Sequence, residues 1–251
     1  MAGHKYRNPP IDEATCQFTL AEQAPWDATT PGRLFDRFKD RYPAMPSQQQ
    51  LLQANLAPEM GTVSPNLSLV QNERVVFVTD DGTDRLSVGP QNIGIHRTRP
   101  YTGFEEALLP RIKEQLPEVL DVLDHEPAFT KVSARYVNRI VVNRAKFDLE
   151  EYFTHWGATS ALPESFEGDI AGFFYRIAGQ RAGHPEVLLL TFASVEASKD
   201  TAAFVLDIDI THQFSDAVGI DEAVEQVVEL KTLENSIFES LITDKCRSLF
   251  E

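Results

Sequence analysis

The stretch Lys131-Val-Ser-Ala-Arg-Tyr-Val-Asn-Arg-Ile-Val-Val-Asn-Arg144 decides how the rest of the chain is read. Its β-branched and aromatic residues mark a strand, and alternate side chains of a strand leave on opposite faces. One face carries Val132, Ala134, Tyr136, Asn138, Ile140 and Val142, a core face broken by a single amide. The other carries Ser133, Arg135, Val137, Arg139, Val141 and Asn143. Apolar residues on both faces predict a central strand covered on both sides. Arg135 and Arg139 would then need partners.

On the C-terminal side, three further strands are expected at residues 168–178, 187–195 and 202–211, with turns at 179–185 and 197–200. A short amphipathic helix at 147–156 precedes them. A long helix from Ile220 to the C-terminus follows, since Val224, Val227, Leu230, Leu233, Ile237 and Leu241 recur every three or four positions. Asp221 and Glu222 suit its positive end, and Lys245 and Arg247 its negative end.

On the N-terminal side, Ala14, Cys16, Phe18 and Leu20 alternate with polar residues in a strand over 12–20. Thr30 and Pro31 read as N-cap and first residue of a short helix with a Leu34, Phe35, Phe38, Tyr42 stripe. Residues 44–66, with a glutamine run and few large apolar side chains, read as a long loop or a poorly docked helix. A meander over 67–97 follows, with strands at 75–78 and 85–88 joined at Asp80-Asp-Gly82. A helix over 104–123 should be kinked or divided at Pro110, with a second break at Pro117.

Consecutive strands on short turns, with helices gathered on one side, predict an α+β fold built on antiparallel sheet. Two loosely similar halves are expected, 1–147 and 148–251, without a residue-level repeat and packed as one compact unit.

Charge divides the chain unevenly. Residues 1–147 hold 17 Lys and Arg against 18 Asp and Glu, whereas residues 148–251 hold 6 against 20. An acidic surface of that kind disfavours nucleic acid there, because phosphate binding is driven by cationic side chains. It serves solubility, or a basic protein partner; a homo-oligomer is compatible with it. No apolar run reaches the ~18 residues of a membrane span and the first residues show no secretory signal, which predicts a cytoplasmic protein. There Cys16 and Cys246 are expected as free thiols.

The polar feature that stands out is Arg135 and Arg139 on one face, with Asn138 on the other. The two guanidiniums could cradle an anion, helped by Arg97, Arg99 and Lys131. The reading preferred is structural: ion pairs with Asp207 and Asp209, which share one face of the strand Val205-Leu-Asp-Ile-Asp-Ile-Thr211. The same aspartates, with Glu196 or Asp169, could instead hold a divalent cation, but an acid-x-acid pair is a weak signal, so no metal site is assigned. The six histidines are scattered, and no phosphate loop, nucleophile elbow or dinucleotide fingerprint occurs. No catalytic residue and no cofactor is therefore assigned.

Several elements together resemble one family: Asn8-Pro-Pro-Ile-Asp-Glu13, Phe35 to Tyr42-Pro43, Arg135-Tyr-Val-Asn-Arg-Ile140, and Phe238-Glu239 with Ile242-Thr-Asp-Lys245. The chain resembles a sporadically distributed bacterial and archaeal family of about this length, largely without assigned activity. The resemblance implies a cytoplasmic accessory protein of mobile-element, defence or toxin–antitoxin type, and carries over no catalytic residue. The function expected is non-catalytic, in protein interaction or ligand sensing. The alternative is a metal-dependent hydrolase or nuclease acting on a phosphate-containing substrate.

Overall fold

The computed structural model describes residues 6–55, 68–143, 148–154 and 172–251. Alternation builds its central strands. β1 (Ile11–Leu20) buries Ala14, Cys16, Phe18 and Leu20. β6 (Phe129–Asn143) buries Val132, Ala134, Tyr136, Asn138, Ile140 and Val142 on the same face. Between them in sequence come α1 (Thr30–Phe38), β2 (Ser47–Asn55), β3 (Ser68–Val78), β4 (Asp84–Val88) and β5 (Asn92–Thr98). A π-helical turn, Phe104–Leu108, then runs straight into α2 (Leu109–Leu123). After β6 come α3 (Leu149–Tyr152), β7 (Phe174–Gln180), β8 (Glu186–Val195), β9 (Thr201–Val218), α4 (Ile220–Leu241) and α5 (Asp244–Arg247).

The strands form one nine-stranded antiparallel sheet in the order β2-β3-β4-β5-β1-β6-β9-β8-β7. The order contains a repeat. A strand, a short helix, a three-stranded meander and a helix occur twice, as β1-α1-β3-β4-β5-α2 and β6-α3-β7-β8-β9-α4. The antiparallel β1–β6 pair joins the two units, so the spatial order mirrors about it, and β2 is an addition to the first. The repeat turns over at the α2–β6 connection; the division at residue 147 follows charge, not topology. One hydrophobic cluster spans both units, from Phe18 and Phe77 to Phe192, Val227 and Phe238. Each fully buried Leu, Ile, Val or Phe side chain in it contributes roughly 1.5–3 kcal/mol.

Several local expectations change. The glutamine-rich segment is not a loop over its first half: residues 47–55 pair along their length with β3, from Ser47 opposite Val76 to Asn55 opposite Ser68. Ladder hydrogen bonds need backbone, not apolar side chains, so composition concealed this edge strand; residues 56–66 of that expectation lie outside the described residues. Thr30 is the first helical residue and not the cap. The Asp27 carboxylate accepts from the backbone N–H of Thr29 and Thr30, at 2.7 and 3.0 Å. Pro110, which has no N–H to give, falls where the helix changes from π to α geometry, and the expected break appears as that change; the second break expected at Pro117 does not occur, since α2 runs through it.

Strand β7 begins at Phe174, and residues 168–171 lie outside the described set, as do 147, 155 and 156 of the expected short helix. The C-terminal helix ends at Leu241, not at the C-terminus. Ile242 bridges to Phe153, and Thr243 caps the separate α5 through the N–H of Cys246. Lys245 and Arg247 therefore serve α5, with Glu151 and Glu239 as their partners. No described helix is long and apolar enough to cross a membrane. Cys16 and Cys246 are free and buried.

Candidate functional site: the open face of the sheet

The described helices pack on the face that carries Tyr136, Leu206 and Ile208. The opposite face is not an apolar one. β1 presents Glu13, Thr15 and Gln17 there, β6 presents Ser133, Arg135 and Val137, and β9 presents Asp207, Asp209 and Thr211, all partly exposed or exposed. The expectation that β6 is covered on both sides is corrected: Val141 is 45% exposed. An antiparallel sheet commonly keeps one solvated face, and the valines among the arginines do not require a second layer.

Arg135 lies opposite Asp209 in the ladder, but its guanidinium reaches diagonally to Asp207. Nε donates to Oδ1 at 2.8 Å and Nη2 to Oδ2 at 2.7 Å, a two-pronged pair. Arg139 has a different role, donating from Nη2 to the Glu196 carbonyl at 2.9 Å. The two guanidiniums are turned to different partners and do not converge on one anion. Of the expected helpers, Arg97 lies on the other face against Asp84, and Arg99 pairs with Asp12. The anion cradle is not assembled. Asn138 is a core residue whose Nδ2 donates to the Leu206 carbonyl at 3.2 Å.

Because the Arg135 side chain is 49% exposed, its pair with Asp207 is a surface pair. Arg135→Met should destabilise the fold by about 1 kcal/mol, not by the several kcal/mol of a buried charge left alone. Chemical denaturation checks this, and a loss above 3 kcal/mol would show the pair to be buried in solution.

With Arg135 committed to Asp207, Asp209 is left over. Its Oδ1 is buried and has no hydrogen-bond partner among the described residues. Burial pushes its carboxyl up to about 6; the Asp207 charge adds to that, while Arg135, Lys131 and Arg176 oppose it. Among the described residues no three His, Cys, Asp or Glu side chains converge as a metal would need. Glu196 offers its carbonyl to Arg139, and Asp169 lies outside the described residues.

Beside this pair lies a second polar array. His96 Nε2 is 2.9 Å from Ser87 Oγ, and Nδ1 is 2.9 Å from Thr15 Oγ1 and 3.3 Å from Glu13 Oε1. The pattern fits a proton on Nδ1, donated toward Glu13, with Nε2 accepting from Ser87. The His96 hydrogen bond holds the Glu13 carboxyl down at about 2, against its partial burial. Gly94 makes the array possible: a Cβ there would lie 2.5 Å from Ser87 Oγ and 2.8 Å from His96 Nε2. The serine–histidine–glutamate order has the connectivity of a hydrolase triad. Ser87, however, is buried in mid-ladder between Val76 and Gly94, where neighbouring strands already engage the backbone that would stabilise an oxyanion. The array is a polar floor.

Neither a protein-family model nor a curated protein matches this chain. The site therefore rests on its own geometry.

Sequence reading singled out Arg135, Asp207 and Asp209, and the fold brings them together. It missed Ser87, Glu13 and the place of His96, which come from three strands. The available signal was the strict polar alternation of Glu13, Thr15 and Gln17 in β1, which marks one face of a central strand as polar.

Proposed function

We propose that the chain is a non-catalytic binding protein that receives a cationic group of a protein partner on the open face, at Asp209. The observation that carries this reading is the buried Asp209 Oδ1, an acceptor without a donor among the described residues, on the solvated side of β9. A buried polar atom of this kind costs free energy until something pairs with it. Lysine or arginine from a partner would satisfy it, and the acidic second half would steer such a partner in. The resemblance of the Arg135–Ile140 element extends the proposal to a cytoplasmic accessory protein of a defence or toxin–antitoxin system.

The test is co-purification from the host with the wild type beside Asp209→Asn and Asp209→Lys. Both variants should lose the partner that the wild type retains. Binding should also strengthen as pH rises through about 6, because only the ionised carboxylate attracts a cation. Retention by all three proteins, unchanged between pH 5 and 7.5, would remove Asp209 from the interface.

A further inference from the structure

β9 outlasts its neighbour. Its ladder with β8 ends at the pair Glu186–His212, yet the strand runs on to Val218. On its other side β6 pairs with Gln213 and then with Val218, so residues 214–217 are passed over. Among the described residues no strand takes up the backbone of 214–217. β8 stops there because its hairpin to β7 turns back through Gly183, at φ 74°, and Pro185. The last rung is fixed from the side: buried Glu186 lies 3.1 Å from His212 Nδ1, and the His212 ring packs on Phe214 at 4.7 Å.

The overhang borders a cleft of about 820 Å³ lined by Gln180, Val187, His212, Phe214, Asp216 and Glu222, among others. Val187 is 43% exposed there. Among the described residues neither lysine nor arginine lines the cleft. From residue 213 to 229 the chain holds Asp216, Asp221, Glu222, Glu225 and Glu229 and no basic residue. A bulge alone would blunt a strand edge. Here the excursion encloses a cleft with an aromatic wall and an acidic rim.

We propose that this overhang takes up an extended, basic segment of a partner protein as an added strand. Backbone groups of the bulge at residues 213–218 would supply a few hydrogen bonds, an apolar side chain would pack on Phe214 and Val187, and a lysine or arginine would reach Asp216 or Glu222. Gln213 and Val218 pair with Lys131 and Phe129, two residues apart on β6, so the bulge spans about 7 Å of sheet and offers backbone to two or three residues of such a segment. The residues are separate from Asp209, so this site stands or falls independently of the open face.

The probe is a ten-residue peptide of alternating lysine and valine, titrated into the isotope-labelled full chain, with a glutamate–valine peptide as its counterpart. The lysine peptide should shift amide resonances concentrated at residues 213–218 and Glu222, and the glutamate peptide should not. Asp216→Lys with Glu222→Lys should weaken binding at least tenfold, whereas Asp36→Lys with Asp40→Lys, on α1 and just beyond it, should leave it unchanged, as should Asp209→Asn. Shifts scattered over the acidic surface, equal losses in both charge-reversed variants, or no shifts at millimolar peptide would each overturn the proposal.

Discussion

Glu234→Gln should stabilise the protein increasingly as pH rises. Glu234 is 3% exposed in the middle of α4, within electrostatic reach of the Tyr101–Tyr136 pair on the sheet. Burial pushes its carboxyl from an ordinary 4.5 up to about 8; Glu239 adds to the rise and Lys231 opposes it. Below pH 4.5 the folded and unfolded chains both hold the proton, and the group makes no difference. Between 4.5 and 8 the unfolded chain releases it while the folded chain keeps it, so stability falls. Above 8 both forms are ionised and the loss is complete. At about 1.4 kcal/mol per pH unit, the gap amounts to roughly 5 kcal/mol. Glutamine keeps the shape and removes the titration. The difference in unfolding free energy between variant and wild type should be small at pH 4 and several kcal/mol in favour of glutamine at pH 9. Parallel pH profiles would mean that Glu234 is hydrated or paired in solution.

Asp84→Asn should be strongly destabilising, through charge and not volume. Asp84 is 4% exposed, and its Oδ2 accepts from Arg97 Nη1 at 2.7 Å and Arg111 Nη2 at 2.6 Å. Arg97 also donates to Thr83 Oγ1 and to the Pro100 carbonyl, and Arg111 to the Ala107 carbonyl. One carboxylate thus ties β4, β5 and α2 together. Removing its charge leaves two guanidiniums facing each other, and breaking a buried pair in this way costs 3–5 kcal/mol. Arg111 is partly exposed, which places the expected loss near about 3 kcal/mol. Changing Asp84 to Leu together with Arg97 to Met should recover part of it. A loss below 1 kcal/mol for Asp84→Asn would show that solvent already screens the cluster.

Neither of these residues announced itself in the sequence, for different reasons. Asp84 follows the Asp80-Asp-Gly82 turn and reads as part of it; its partners lie 13 and 27 positions away and meet it only through the ladder and α2. Glu234 was legible in principle. It falls on the stripe Val227, Leu230, Phe238 that α4 buries, where a periodic reading passes over one carboxylate among apolar residues. The alternation of β1 and β6, the meanders and α4 were readable because burial of one face imposes a period on the side chains. The edge strand β2 was not, since an edge needs only its backbone. The solvated face of β6 was misread because Val137 and Val141 fit a pleated surface as well as they fit a core. The Arg135–Asp207 pair could be anticipated from residue types. That it would leave Asp209 without a partner depends on a diagonal reach that no linear pattern encodes.

The measurement that bears most directly on the open-face site is the carboxyl-carbon NMR titration of Asp209 in the free, full-length chain. A midpoint near 6, lost in Asp209→Asn and lowered when a cationic partner binds, is the expected result. A midpoint below the ordinary aspartate value of 3.8 would mean that the carboxylate is already paired, and would contradict the reading of this face as a binding surface.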